Sequence, residues 1–322
     1  MQPFFSTLWG KGILKWIFRV LLFQLILINI SAAFHAYKFT HFYSDKAVYN
    51  QPPSAGTFLL RTWRLMVGKR YGRSPIVYTP SVPYDTLSLS LSNGLKISGW
   101  YIRADTAIGT AILFHGLGSN KGQPLNEAAE LRLLGYNTLL IDLRAHGASE
   151  GKAFSLGYKE SEEVKLAYDY IKGKGESNIL LWGMSVGAVI IAKAIDDYAI
   201  SPSKIILEMP FSSLEDHLRS RARTLGFPEE PFAFFVTFWT GLEQGYWGYA
   251  HKTTTYVRKI KCPVLLQWGK QDEYVKESEI KAIFKNIGTS KKQLVVYDQS
   301  GHVPLCWSEN DKWHDTVVQF LR

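Results

Sequence analysis

The sequence predicts an α/β chain on a mostly parallel, doubly wound sheet with helices on both faces, and three observations carry that expectation. From Tyr84 onward, short runs rich in Val, Ile and Leu alternate with helical stretches. The runs TAILFHG, NTLLIDLRA, NILLWGMS, KIILEMP, PVLLQWGK and QLVVYDQSGH are continuously apolar, as strands covered on both faces are. Ahead of them TLSLSLS and LKISGWYIR flank Asn93-Gly94, a tight-hairpin dipeptide, so the sheet is expected to begin antiparallel. With 322 residues, the chain fits one large domain plus an appendage better than two equal domains.

In chain order, the first element is apolar. Lys11, Lys15 and Arg19 precede the run Val20–Phe34, which is short for a bilayer span unless it extends back to Trp16 or forward to Tyr37. Residues 1–37 therefore read as an uncleaved membrane anchor, with a signal peptide cleaved near Ser31-Ala32-Ala33 as the competing reading. Either way, the leading basic residues put the N-terminus on the cytoplasmic side and the rest of the chain, or the exported domain, outside.

Residues 38–83 form a basic juxtamembrane extension. Leu59, Leu60, Trp63, Leu65 and Met66 could share one face of a short interfacial helix, with Arg61 and Arg64 elsewhere. Alternatively, this stretch packs on the domain. The net charge of +9 arises here: residues 1–80 carry ten Lys or Arg against the single acid Asp45, and the remainder is neutral. Basic charge beside an apolar segment points to a membrane surface, and with no nucleic-acid-binding motif present no nucleic-acid partner is expected. Two cysteines, Cys262 and Cys306, lack metal-ligand spacing and read as small buried apolar residues.

The domain proper is expected over 84–322. ESEEVKLAYDYIKGKG opens with acids and closes with lysines and glycine, as the helix dipole and C-cap favour. Ligands of such folds bind at the carboxyl ends of the strands, where the chemically interesting residues fall. Ser185 follows the strand run Ile179–Trp182 and precedes a small-residue helix start, flanked by Gly183 and Gly187. That is the strand–turn–helix setting in which a serine oxygen can stand exposed over a helix N-terminus.

Five motifs in this order resemble those of the α/β-hydrolase fold family, in its serine-aminopeptidase-like and Bem46-like branches. LFHGLGSNKG resembles the oxyanion loop and DLRAHGASEG the turn after the fourth strand; GMSVG is the nucleophile elbow, WGKQD resembles the acid loop and QSGH the histidine loop. The resemblance spans about residues 84–322. It implies Ser185 as nucleophile, His302 as its base and Asp272 as the acid that orients the imidazole, with Glu273 and Glu208 as the other carboxylates in range. The Leu117 and Val186 backbone N–H groups are then expected to form the oxyanion hole.

His115 and His146 are expected to brace loops, and Asp142 and Arg144 to form a structural pair. A lid is expected at about 211–261, where nine aromatic side chains lie between Phe227 and Tyr249. Most should bury the lid; Phe235 and Trp239 are candidates to roof an apolar substrate. Arg219, Arg221 and Arg223 could meet a substrate carboxylate or simply face solvent.

The combined expectation is a serine hydrolase, carboxylesterase- or lipase-like, that cleaves a carboxylic ester or thioester through an acyl-enzyme. It would act on a small-molecule or lipid-like acyl substrate, at the membrane, with no cofactor and no metal. Amide or peptide cleavage is the enzymatic rival. A catalytically silent binding protein on the same fold is the rival from another class.

Overall fold

The computed structural model describes residues 8–44 and 57–322. Helix α1 (Leu8–Thr40) is followed by β1 (Phe42–Tyr43), α2 (Phe58–Val67) and β2 (Tyr71–Gly72). The main sheet then begins with the hairpin β3 (Tyr84–Ser90) and β4 (Lys96–Ile102) around Asn93-Gly94. Next come β5 (Gly109–Phe114), α3 (Leu125–Leu133), β6 (Tyr136–Ile141) and α4 (Ser161–Gly173). They lead into β7 (Ile179–Met184), α5 (Val186–Tyr198), β8 (Lys204–Glu208), α6 (Leu214–Leu225) and α7 (Glu229–Gln244). The chain closes with α8 (Thr253–Tyr256), β9 (Val264–Gly269), α9 (Glu277–Asn286), β10 (Lys292–Tyr297), α10 (Leu305–Ser308) and α11 (Asn310–Leu321).

Among the described residues the main sheet has eight strands in the order β10-β9-β8-β7-β5-β6-β4-β3, antiparallel only at β3–β4 and β4–β6. Every residue of β5, β7 and β9 is buried, as the unbroken apolar runs require when helices cover both faces. Register decides which loops meet. Phe114 lies opposite Gly183, so the loop after β5 emerges beside the loop after β7. Gly269 lies opposite Tyr297, so the loops after β9 and β10 also emerge together.

The N-terminal part is joined to this domain. The stretch Lys11–Thr40 of α1 is long and apolar enough to cross a membrane, and by length and composition it fits an anchor or a signal. At 33 residues the helix is about 50 Å long. Its first half leaves large apolar side chains from Ile13 to Ile30 exposed, whereas Ala32, Ala36 and Phe39 near its end are buried in the core. Between them Asn29 Oδ1 accepts from Trp239 Nε1 of α7 at 3.3 Å. Ser31 Oγ donates to the Met66 carbonyl at 2.6 Å, and Lys38 Nζ to that of Gly68 at 2.9 Å.

Beyond α1, β1 pairs in parallel with β2, and both are pinned to the loop after β6. Phe42 N donates to the Lys152 carbonyl at 2.9 Å and Phe154 N to that of Thr40 at 2.7 Å, while Arg73 Nη1 donates to the Ser149 carbonyl at 2.7 Å. Residues 58–66 form the short helix that their pattern suggests, with Phe58, Leu59 and Trp63 largely exposed.

Candidate active site

Ser185 sits between β7 and α5 at φ 55°, ψ −118°, a left-handed backbone that a side-chain-bearing residue adopts only where its surroundings enforce it. The enforcement is visible. Ser185 N donates to the Glu208 carbonyl on the neighbouring strand at 2.7 Å. Gly183 and Gly187 abut each other so closely that a Cβ on Gly183 would lie 2.5 Å from the Gly187 carbonyl carbon. A Cβ on Gly187 would lie 2.2 Å from the Phe114 carbonyl oxygen. The two glycines thus let α5 start against the end of β5, which turns the serine outward.

The loops after β9 and β10 bring two further sequence-selected residues to this serine. His302 Nε2 lies 3.0 Å from Ser185 Oγ, and His302 Nδ1 lies 2.7 Å from Asp272 Oδ2. The Asp272 carboxylate is fully buried, and its other oxygen accepts from the Tyr274 and Val275 N–H groups at 2.8 and 2.9 Å. That second anchorage fixes its direction. With Nδ1–H donated to a carboxylate, Nε2 is the lone-pair nitrogen facing the serine hydroxyl.

The other candidate acids lie elsewhere. Glu273 is exposed. Glu208 is buried beneath the sheet, where Oε1 accepts from Trp182 Nε1 at 3.0 Å and Trp313 Nε1 at 2.7 Å, and burial pushes it up to about 7.

Leu117 lies between two tethered residues. Gly116 N donates to Gln123 Oε1 at 2.8 Å and Gly118 N to His146 Nε2 at 3.0 Å. The Leu117 and Val186 N–H groups find no acceptor within the protein among the described residues. A Cβ built on Gly116 would stand 3.7 Å from Ser185 Cβ, so this loop lies against the serine. Val186 begins α5, whose N-terminus adds positive potential at the same place.

His115 and His146 are fully buried and tie loops together. His115 pairs Nδ1 with the Gly116 carbonyl at 2.7 Å and Nε2 with Leu143 N at 3.1 Å. His146 pairs Nδ1 with the Arg144 carbonyl at 2.9 Å. Each ring therefore donates from Nδ1 and accepts at Nε2, which only the neutral form can do. Desolvation pushes the two down to about 4 and about 3.

A stability prediction follows from His146. Folded, it binds a proton at about 3 against 6.5 for the ordinary residue, so on acidification the unfolded chain takes up the proton first. Its contribution is present in full above pH 6.5 and is lost as pH falls toward 3, by about 1.4 kcal/mol per pH unit. Chemical denaturation of wild type and His146→Gln should thus show the stability gap between them narrowing from about pH 7 to about pH 5. A gap that widens on acidification would mean that the folded ring is charged.

One expectation is corrected. Asp142 and Arg144 do not pair with each other. The Asp142 carboxylate turns under its own loop, against Gly147, to meet Lys121 Nζ at 2.5 Å and Ala148 N at 2.8 Å. Arg144 points the other way, to Glu163 at 2.7 Å and Glu162 at 3.1 Å in the first turn of α4. Lys121 went unnoticed in the sequence; it is buried over the Trp100 ring at 4.8 Å, and only its place in the loop after β5 could have marked it.

The lid aromatics stand apart from the small cavity near the serine. The small cavity beside Leu117 and Gly118, about 180 Å³, is lined by Leu156 and by His217, Leu218 and Arg221 of α6, with no contribution from Phe235 or Trp239. Its remaining walls are Phe39, Phe42 and Tyr71, from the N-terminal part that the resemblance does not cover. Trp239 instead faces α1, where it lines an apolar groove of about 650 Å³ with Leu25, Ile26 and Phe34. The aromatic pattern of α7 gave no means of telling a wall for α1 from a roof for substrate.

Cys262 and Cys306 are both free thiols, and burial pushes Cys262 up to about 12.

Residues 105–230 match the family described as serine aminopeptidase, S33. The uncharacterized protein YqkD of Bacillus subtilis is 25% identical over 232 residues, covering 71% of this chain and 76% of that one. The lysophosphatidylserine lipase ABHD12 of Danio rerio is 25% identical over 218 residues, covering 64% and 56%. Among solved structures, the esterase Pf2001 of Pyrococcus furiosus superposes with a TM-score of 0.66 at 25% identity, over 78% of this chain and 96% of that one.

Proposed function

Proceeding from a chain that has the α/β-hydrolase fold, we propose that it is a membrane-anchored serine hydrolase acting on a carboxylic ester or thioester. The observation that carries this reading is the hydrogen-bonded line from Ser185 through His302 to Asp272. In the proposed reaction Ser185 Oγ attacks the substrate carbonyl carbon while its proton passes to His302 Nε2. The carbonyl oxygen takes up the negative charge beside the Leu117 and Val186 N–H groups. His302 then gives the proton to the departing alkoxide or thiolate, leaving an acyl-serine. Water attacks that acyl carbon, loses a proton to His302 and releases the carboxylic acid, and the proton returns to Ser185. Asp272 holds the imidazole and stabilises its cation throughout.

The lining of the small cavity favours an ester over the substrate of an aminopeptidase. A free peptide N-terminus is a cation and calls for a carboxylate, yet among the described residues no Asp or Glu lines this cavity and Arg221 does. Retention of α1, rather than cleavage near Ser31-Ala32-Ala33, is supported by the bonds it makes on both sides of that stretch. Both helices against α1 leave large apolar groups exposed, Trp63 on α2 and Phe234, Phe238 and Leu242 on α7, as expected of a face seated in a lipid surface. From the leading basic residues of α1 we infer an N-terminus in the cytoplasm and a catalytic domain outside.

The test is labelling of the full-length, detergent-solubilised protein by a fluorophosphonate. The expected result is stoichiometric labelling of Ser185, together with turnover of p-nitrophenyl esters and little or none of aminoacyl anilides. A folded protein that neither labels nor turns over any ester would be a binding protein on this fold. Faster turnover of the anilides would select the peptidase reading.

A further inference from the structure

The cavity beside the proposed oxyanion loop holds one charged side chain that the reaction above leaves unused. α6 carries three arginines in alternate positions, and two are fully engaged. Arg219 donates to Glu215 at 2.6 Å, Asp216 at 2.8 Å and Glu230 at 3.0 Å. Arg223 donates to Glu229 at 3.0 Å and to the Tyr274 carbonyl at 3.3 Å. Arg221 differs from both: among the described residues no carboxylate lies within ion-pair distance of it, and its guanidinium makes no hydrogen bond.

Arg221 is nevertheless held in place. Its Cζ lies 5.4 Å from the centre of the Tyr274 ring, and that ring lies 5.2 Å from the His302 imidazole. The half-buried cation is thus stacked on the residue that flanks the proposed base, inside the cavity that Leu117 and Gly118 also line. Its described neighbours in the cavity add no negative charge. His217, one turn earlier on α6 and in the same cavity, is buried and kept neutral by desolvation and by the Arg221 charge. Lys69 Nζ lies 5.0 Å from the centre of the Tyr71 ring, a wall of the same cavity, and desolvation together with the Arg221 charge pushes Lys69 down. A preoriented guanidinium whose five N–H donors are unspent among the described residues, in the wall of a largely apolar cavity, matches a carboxylate or phosphate.

We propose that Arg221 determines specificity by binding an anionic group, carboxylate or phosphate, carried by the ester substrate, with Lys69 reinforcing the positive potential. Phe39, Phe42, Tyr71 and Leu218 receive the apolar part beside it. This rests on the hydrolase reading and adds to it a substrate class, anionic acyl esters, and a second contact point. The anion can sit on the acyl side of the scissile bond or on the leaving group, and two substrate pairs separate those sources.

The experiment measures kcat/KM for mono-p-nitrophenyl glutarate against p-nitrophenyl butyrate, and for lauroyl lysophosphatidic acid against monolauroylglycerol. The expected result is a preference for the anionic member of one pair, with that ratio falling about 10- to 100-fold in Arg221→Gln. Arg221→Lys should lose less, since it keeps the charge but not the fork, and the ion-paired Arg219→Gln should keep the wild-type ratio. A ratio unmoved in Arg221→Gln for both pairs overturns the proposal. So does an equal loss on both members of a pair, which would make Arg221 a prop for Tyr274 and His302. Fluorophosphonate labelling and neutral-ester turnover by the wild type report separately on the hydrolase reading, and their absence would sink both.

Discussion

Ser185→Ala is expected to lower kcat by about 10⁴- to 10⁶-fold and to abolish fluorophosphonate labelling while leaving the fold intact. Removing the proposed nucleophile, whose proton acceptor is already aligned, removes the proposed covalent route altogether. Any residual rate would come from binding and from the Leu117 and Val186 N–H groups. Folding should be spared because among the described residues the Ser185 hydroxyl bonds only to His302, and an alanine Cβ occupies the same left-handed backbone as that of serine. Melting temperature and circular dichroism check the fold; ester hydrolysis and labelling check the chemistry. Wild-type-like turnover in the variant would mean that another residue is the nucleophile.

Gly187→Ala is expected to destabilise by about 4 kcal/mol or more, with loss of soluble protein and of activity together. The new Cβ would lie 2.2 Å from the Phe114 carbonyl oxygen and 2.9 Å from that of His115, and both are backbone atoms at the buried end of β5. A side chain could rotate away; this strand end is locked in register with β6 and β7. The methyl would have to push α5 off the sheet, carrying Val186 and Ser185 with it. Gly173→Ala is the control, because nothing stands within 4 Å of the Cβ it would add at the end of α4. It should be neutral or slightly stabilising, by at most about 1 kcal/mol. Urea midpoints of the three proteins decide the matter, and a Gly187→Ala protein as stable as wild type would show that the elbow tolerates a methyl there.

Local chemistry made much of the fold readable in advance. Unbroken apolar runs bounded by glycine, with Asn93-Gly94 between two alternating runs, determined the strands and the opening hairpin. A mostly parallel buried sheet with an antiparallel start fits that pattern. The elbow was equally local: Gly183 and Gly187 are required wherever a strand turns this sharply into a helix. Ser185, Asp272 and His302 became candidates through the resemblance of the GMSVG, WGKQD and QSGH motifs, each just past the end of a strand, and register then brings those three ends together.

What the sequence left open depends on which side chain meets which across the fold. Asp142 could have reached Arg144 or Lys121, and only the loop that returns over Gly147 selects Lys121. The α7 aromatics looked alike, and only the arrival of α1 turned Trp239 into its wall. The N-terminal part read as a membrane anchor outside the domain, yet the last turn of α1 and β1 close the cavity with Phe39 and Phe42. Three arginines at Arg219, Arg221 and Arg223 were equivalent until the carboxylates of α6 and α7 engaged two of them. Patterning within one element records burial, and so determines strands, turns and the order of the loops. Long-range pairing carries no such periodic signal, so the tertiary structure alone decided the partners of these charges and rings.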